Sequence, residues 1–436
     1  MDGKSRLCGR PHAGLACLAL LVTGICGGCG GSGDPDAPGE FAPQNYAALP
    51  GLSAVPHPKL RDELARIVEE GGTPELLGSG SVPDEENAAA GLRDLFEAEK
   101  VASILKDANE IYPPDRLGFN FDPIRLQRAV AFRKSYDAQR QRARIALRRP
   151  RCDFGLQHGA GQFAELSFVD VVRLLARLEA FQAAQQLHEG DLDAATQALA
   201  TMLRLAECLA GEKHVVARGQ AAFLRSDALL LLDAIVRHPN LTRKHLQQLC
   251  ELVDAQLAHW PSDADTWIGD RALGMHSYEL VRDGQLLTIL APDDFERLGG
   301  EEVVGDLPKA AQRTVNEDEL YYLETMRKII DSCRQPYYQR VGLFEALRND
   351  LQARQGTTEF PLVAGHLLLP GIDEAHVIQA QDRALCEGWA QVLALAAGRQ
   401  RPPYETSPRT GSPYQVVQED GRVEVSGDGS SETGDD

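Results

Sequence analysis

Between Arg125 and Arg151 the chain carries ten basic residues and one acid, Asp137, in a protein whose formal net charge is −19. Arg140, Arg144, Arg148 and Arg151 fall at i, i+4, i+8 and i+11, so a continuous helix would align them as one stripe beside Phe132, Tyr136, Ala143 and Leu147. Guanidiniums in a row can grip carboxylates or phosphates through forked hydrogen bonds. The chain supplies carboxylates itself: ten acids stand against three bases between residues 283 and 319, and more follow in the last ten residues. An internal salt-bridge stripe, or a merely solvated one, is therefore the first expectation. A phosphate-bearing partner such as lipid headgroups or an anionic envelope polymer is the alternative. The net charge repels anionic membranes and nucleic acid alike, so no nucleic-acid partner is expected.

Other residue groupings offer less chemistry. The glycine-rich run Gly155-Leu-Gln-His-Gly-Ala-Gly161 lacks the Lys-Ser/Thr of a phosphate loop and any surrounding βαβ pattern, so it reads as a connection. The eleven histidines form no HExxH motif, and His238 and His245 flank a helix start as caps or surface groups. Asp191, Asp193 and Glu317-Asp318-Glu319 stand at helix N-termini, where carboxylates satisfy free N–H groups. Ser426 is on no strand-turn-helix elbow, and no Gly-x-Ser-x-Gly exists. Tyr321-Tyr322, Tyr337-Tyr338, Trp267 and Trp389 read as core aromatics first, with a groove lining as the alternative. These readings predict no catalytic residue, no metal and no cofactor.

Cys29 is the residue whose chemistry its surroundings specify. Lys4, Arg6 and Arg10 precede an apolar run from Ala13 to Ile25, followed by Cys26-Gly-Gly-Cys29 and the polar spacer Gly30-Gly-Ser-Gly-Asp34. That run is too short for the roughly 20 residues of a bilayer span and reads as the core of a secretory signal. Small residues before Cys29 suit cleavage there and lipidation of its thiol, giving a membrane-anchored protein on the outer side of the cytoplasmic membrane. Plain secretion and a retained anchor are the alternatives. Of nine cysteines, Cys8, Cys17, Cys26 and Cys29 belong to this segment. The other five, Cys152, Cys208, Cys250, Cys333 and Cys386, fit no zinc or redox spacing, and Cys208, Cys250 and Cys386 sit on apolar helical faces. They read as buried thiols, with room for one disulfide in an oxidising compartment.

What positions these residues is a mostly helical body. Residues 30–54, rich in Gly, Pro, Ala and Ser, form a tether, and residues 55–400 a helical domain. Leu60, Leu64 and Ile67 predict a first helix stopped by Gly71-Gly72. A second is predicted from Pro83 through Leu92, Phe96 and Leu105, and a third over 123–149. Residues 155–260 are the most regular: helices over about 168–190, 192–211, 215–237 and 241–259 alternate with short turns and predict stacked antiparallel hairpins, an all-α, solenoid-like array. Leu230, Leu231 and Ile235 should face neighbouring hairpins. Residues 261–315 look irregular, with an acidic insertion over 283–315, and helices resume near 316–335, 337–354 and 373–398. In the acidic tail, 401–436, two β-like runs flank Glu419-Asp420-Gly421 as a hairpin. Removal of the tail after Pro403 should cost little stability.

The chain carries three resemblances. Glu189-Gly-Asp-Leu-Asp-Ala-Ala195 is similar to tetratricopeptide-like arrays, although their defining Trp, Tyr and Pro positions are missing. Pro83-Asp-Glu-Glu-Asn-Ala-Ala89, Arg149-Pro-Arg-Cys-Asp-Phe154 and the helices between Leu166 and Leu257 resemble a group of exported helical proteins abundant in planctomycetes. That resemblance implies a helical fold and an export or anchor segment, and no catalytic residue. Gly411-Ser-Pro-Tyr414 with Val423-Glu-Val-Ser-Gly427 resembles the tail hairpin of such proteins and of pseudopilins, where the region can bind calcium; the apolar pilin N-terminal helix is missing here. The expected molecule is an envelope lipoprotein acting as a binding or scaffolding surface for an envelope protein or polymer. A hydrolase with carboxylates from separate helices, or an accessory of a pseudopilin-like secretion system, are the rivals.

Overall fold

Helix-forming runs punctuated by turn residues dominate the chain, and the computed structural model, which describes residues 55, 57–78, 82–113, 118–290, 305–419 and 422–426, is mostly helical. The signal segment, the tether with Cys29, residues 291–304 and the last ten residues lie outside the described residues. Helix α1 (Pro58–Glu69) starts on His57, whose Nδ1 accepts from the Leu60 N–H at 3.2 Å, and buries Leu60, Leu64 and Ile67. A short α2 (Pro74–Leu77) follows.

The helix expected from Pro83 is divided. Residues 84–86 form a turn, and Asn87 caps α3 (Ala88–Leu92) by accepting from the Ala89 N–H at 3.1 Å. Phe96 is extended, and α4 (Ala98–Ile111) begins afresh after it. The expected helix over 123–149 also breaks, at Tyr136 (φ −122°, ψ 19°), into α5 (Pro123–Ser135) and α6 (Asp137–Ala146). Tyr136 packs against Phe96 and Phe132 there, so aromatic contacts override the propensity to continue.

The centre follows the sequence pattern closely. Helix α7 (Ser167–Glu189) ends at Gly190 with φ 77°, a left-handed turn suited to glycine, and Asp191 caps α8 (Leu192–Ala210) one residue later. This two-residue connection folds α8 back along α7, and α9 (Val215–Val236) packs on its other side. Leu231 and Ile235 have no exposed surface, whereas Leu230 is only half-buried. Thr242 and His245 form a reciprocal cap at the start of α10 (Arg243–Ala258).

Residues 263–282, expected to be irregular, form a 20-residue helix, α11 (Asp263–Arg282). Its buried residues include Trp267, Arg271, Met275 and Tyr278; mixed polar and apolar burial obscures a simple stripe. Helices α12 (Leu307–Arg313), α13 (Val315–Ser332), α14 (Tyr337–Arg354) and α15 (Ile372–Ala397) complete the set. Two apolar cores result. One joins α3–α10 to Cys386–Ala397 of α15; the other joins α1, α11, α13 and α14 to Ile372 and Ala380 of the same helix. Helix α15 therefore spans both cores, and it returns across the chain to pack on α9 and α10.

Strands β1 (Gln415–Glu419) and β2 (Arg422–Ser426) pair antiparallel, with Val417 opposite Glu424. The segment leading to them is docked. Gln391 Nε2 donates to the Tyr404 carbonyl at 2.7 Å, and the Tyr414 hydroxyl donates to Glu387 Oε2 at 3.0 Å. A tail expendable after Pro403 does not fit these bonds.

Candidate functional site

The break at Tyr136 decides the fate of the arginine stripe. Arg133, from the end of α5, and Arg140, from α6, converge on Asp137 Oδ1 at 3.0 and 2.8 Å. Arg140 is 4% exposed, and its Nη1 also donates to Glu179 Oε1 at 3.3 Å. Arg144 clasps the same carboxylate, with Nε 2.8 Å from Oε1, and reaches Gln197 Oε1 at 3.3 Å. Glu179 is 1% exposed in the middle of α7, so these guanidiniums supply the charge pairing its burial requires. Among the described residues, the acids that hold Arg140 and Arg144 are thus Glu179 and Asp137. Arg148 and Arg151 are exposed; the Arg151 backbone instead bonds the α3 entry, its carbonyl accepting from the Ala88 N–H at 2.8 Å. The four arginines do not form one site.

A groove of about 640 Å³ runs between α8 and α10, lined by Asp191, Asp193, Thr196, Gln197, Gln248 and Glu251 over an apolar floor that includes Leu252. Asp191 Oδ1 accepts from the Ala194 N–H at 3.0 Å, as a cap does. Asp193 instead takes a bond from Lys244 Nζ at 3.1 Å, which holds its carboxyl below the usual range. Thr196 is 7% exposed, and its Oγ1 has no hydrogen-bond partner; nor has Gln248 Oε1. Both atoms are themselves closed off from solvent and so lie behind the groove surface.

A second polar cluster lies at the seam of the two cores. Arg225 Nε and Nη2 clasp Asp382 at 2.9 and 2.7 Å, and Asp382 lies between Ala380 of one core and Cys386 of the other on α15. Arg218, two turns earlier on α9, stands 3.5 Å from Asp263, and Arg340 of α14 stands 3.7 Å from its other oxygen. The Trp260 ring covers both α9 arginines, 5.0 Å from the Arg218 guanidinium and 4.6 Å from that of Arg225. His376, fully buried, stacks on Trp267 and receives Arg340 Nη1 at 3.0 Å; burial, then that guanidinium, pushes its pKa far down, so the ring is neutral.

Buried titratable groups recur at the α8–α9 corner. Burial raises the Glu212 carboxyl to about 7, partly offset by the Phe154 N–H donating to Oε1 at 2.7 Å. Burial lowers His214 to about 4 and also lowers His158, whose Nε2 meets the Lys213 carbonyl at 3.1 Å. Asp318, read from sequence as a cap for its own helix, accepts instead from the Val363 and Ala364 N–H groups and the Tyr278 hydroxyl, tying α13 to a distant turn. A usable signal existed for the seam: Arg218 and Arg225 are charges set within apolar helical runs.

Compared with models of known families, with curated proteins and with solved structures, the chain matches none. Among the described residues, no helix is long and apolar enough to cross a membrane, and no group of three or more His, Cys, Asp or Glu could hold a metal ion.

Proposed function

We propose that the protein is an exported, lipid-anchored binding protein of the cell envelope, held through Cys29 and the 30–54 tether, whose stacked hairpins form an extended, solenoid-like surface with its ligand in the α8–α10 groove. The observation that carries this reading is the set of three carboxylates, Asp191, Asp193 and Glu251, that line that groove. The groove volume, about 640 Å³, falls within the usual range for ligand sites. Its carboxylates call for a ligand rich in donors and positive charge, such as a basic segment of an envelope protein or an amine-bearing envelope polymer. Asp191 is engaged in capping and Asp193 with Lys244, which supports binding rather than proton transfer at this surface.

Calorimetric titration with a short oligolysine peptide and with an amino-sugar oligomer tests the groove. At least one probe should bind, weaken with salt, and lose about tenfold or more in affinity in Glu251→Lys, an exposed position whose replacement leaves the melting behaviour unchanged. Neither probe binding at low salt would sink the reading. Labelling with a fatty-acid probe tests the anchor: Cys29→Ser should lose the label and Cys26→Ser keep it.

A further inference from the structure

The seam cluster is unbalanced in charge and in hydrogen bonds. Three buried guanidiniums, Arg218, Arg225 and Arg340, face two carboxylates, Asp382 and Asp263, with His376 neutral beside them. Asp382 is committed to Arg225 through bonds of 2.7, 2.9 and 3.1 Å. Arg218 and Arg340 are left to share Asp263, at 3.5 and 3.7 Å, longer than the charge-assisted bonds guanidiniums normally make. Among the described residues Arg218 Nε and Nη1 and Arg340 Nε have no hydrogen-bond partner, the nearest acceptor recorded for Arg218 Nη1 being Asp382 Oδ2 at 3.9 Å, although the two side chains are 0% and 2% exposed.

Asp263 is also the first residue of α11, a 20-residue helix, and Ser262 before it makes no side-chain cap. The positive end of a long helix and two under-bonded arginines therefore meet at one point. We propose that this point, the start of α11 between Arg218 and Arg340, is a binding site for a tetrahedral oxyanion, a free phosphate or a phosphate monoester, and that the Asp263 carboxylate is the internal occupant it displaces. A tetrahedral dianion offers more acceptor directions than one carboxylate and can take the unbonded guanidinium N–H groups together with the free N–H groups of the first helical turn. Asp263 is able to leave: its side chain is 21% exposed, against 3% for Asp382. Trp260 and Pro261 precede the helix start, and the half-buried indole lies over Arg218 and Arg225 beside the site.

The indole also reports binding. Intact protein is titrated with inorganic phosphate, and separately with glycerol phosphate, against chloride at matched ionic strength, following tryptophan fluorescence and the melting temperature. A saturable response specific to phosphate or its ester is expected, with the fluorescence change lost in Trp260→Phe. In Asp263→Asn the competing charge is gone, and affinity should tighten about tenfold or more. Tighter binding of the ester assigns an open outer side to the site; binding of phosphate alone assigns an enclosed one. A response equal in chloride, or a phosphate affinity unchanged or weakened in Asp263→Asn, overturns the proposal. Because the expected effect of Asp263→Asn is a gain, a misfolded variant cannot imitate it.

Discussion

Replacing Glu179 by Gln removes the charge that neutralises Arg140 and Arg144 inside the fold. Breaking a buried ion pair by deleting one partner costs roughly 3–5 kcal/mol, because the surviving charge keeps its desolvation penalty. Two features place this site at the lower end. Arg140 retains Asp137 Oδ1 at 2.8 Å, and Arg144, 17% exposed, can turn toward water and keeps Gln197 at 3.3 Å. We therefore expect a loss of about 3 kcal/mol in urea unfolding followed by circular dichroism. Arg148→Gln, on the same stripe but exposed, should change stability by no more than about 0.5 kcal/mol. Replacing all three members by apolar residues, Arg140→Met, Arg144→Met and Glu179→Leu, should do less damage than Glu179→Gln alone, since no charge is then stranded. A loss below about 1 kcal/mol for Glu179→Gln, or one equal to that of Arg148→Gln, would refute the internal-pairing argument.

Leu231→Ala should cost about 2–5 kcal/mol in thermal or urea unfolding, since that side chain is wholly buried between hairpins, while Ile124→Ala, 73% exposed, should be near neutral. Gly269→Ala should destabilise by about 1–3 kcal/mol, because its Cβ would lie 1.9 Å from the Lys213 carbonyl oxygen, a backbone atom with little freedom to move. Glu212 should make stability fall as pH rises: its folded pKa of about 7 lies above the unfolded value, so the folded state holds the extra proton, and its contribution is complete below about pH 4.3 and lost through pH 7. Glu212→Gln, with unfolding free energies compared at about pH 5.5 and 7.5, should flatten that fall; an unchanged slope rejects it. Ending the chain after Pro403 should cost about 1–3 kcal/mol by stripping Tyr414 from Glu387 and Tyr404 from Gln391, and a melt matching the intact chain would show that this docking adds nothing.

Local pattern was enough for the helical class and for the boundaries of the central helices, because Gly190, Asp191 and Thr242 act through bonds within a few residues of themselves. Caps of that kind are written in the chain. The same holds for Leu231 and Ile235, whose spacing alone marks a face to be buried. Local pattern failed where a distant partner set the outcome. Tyr136 breaks a helix because Phe96 and Phe132 gather around it, and Asp318 serves N–H groups 45 residues further on rather than its own helix start. Arginines 140 and 144 announced that they needed an acid, but nothing in their spacing named Glu179; that follows from α7 lying against α6. Likewise, charges within apolar runs at 218 and 225 signalled buried pairing. Only the return of α15 across α9 brought them together with Asp382, Asp263 and Arg340, because a charge removed from water is satisfied by whatever the tertiary fold sets beside it.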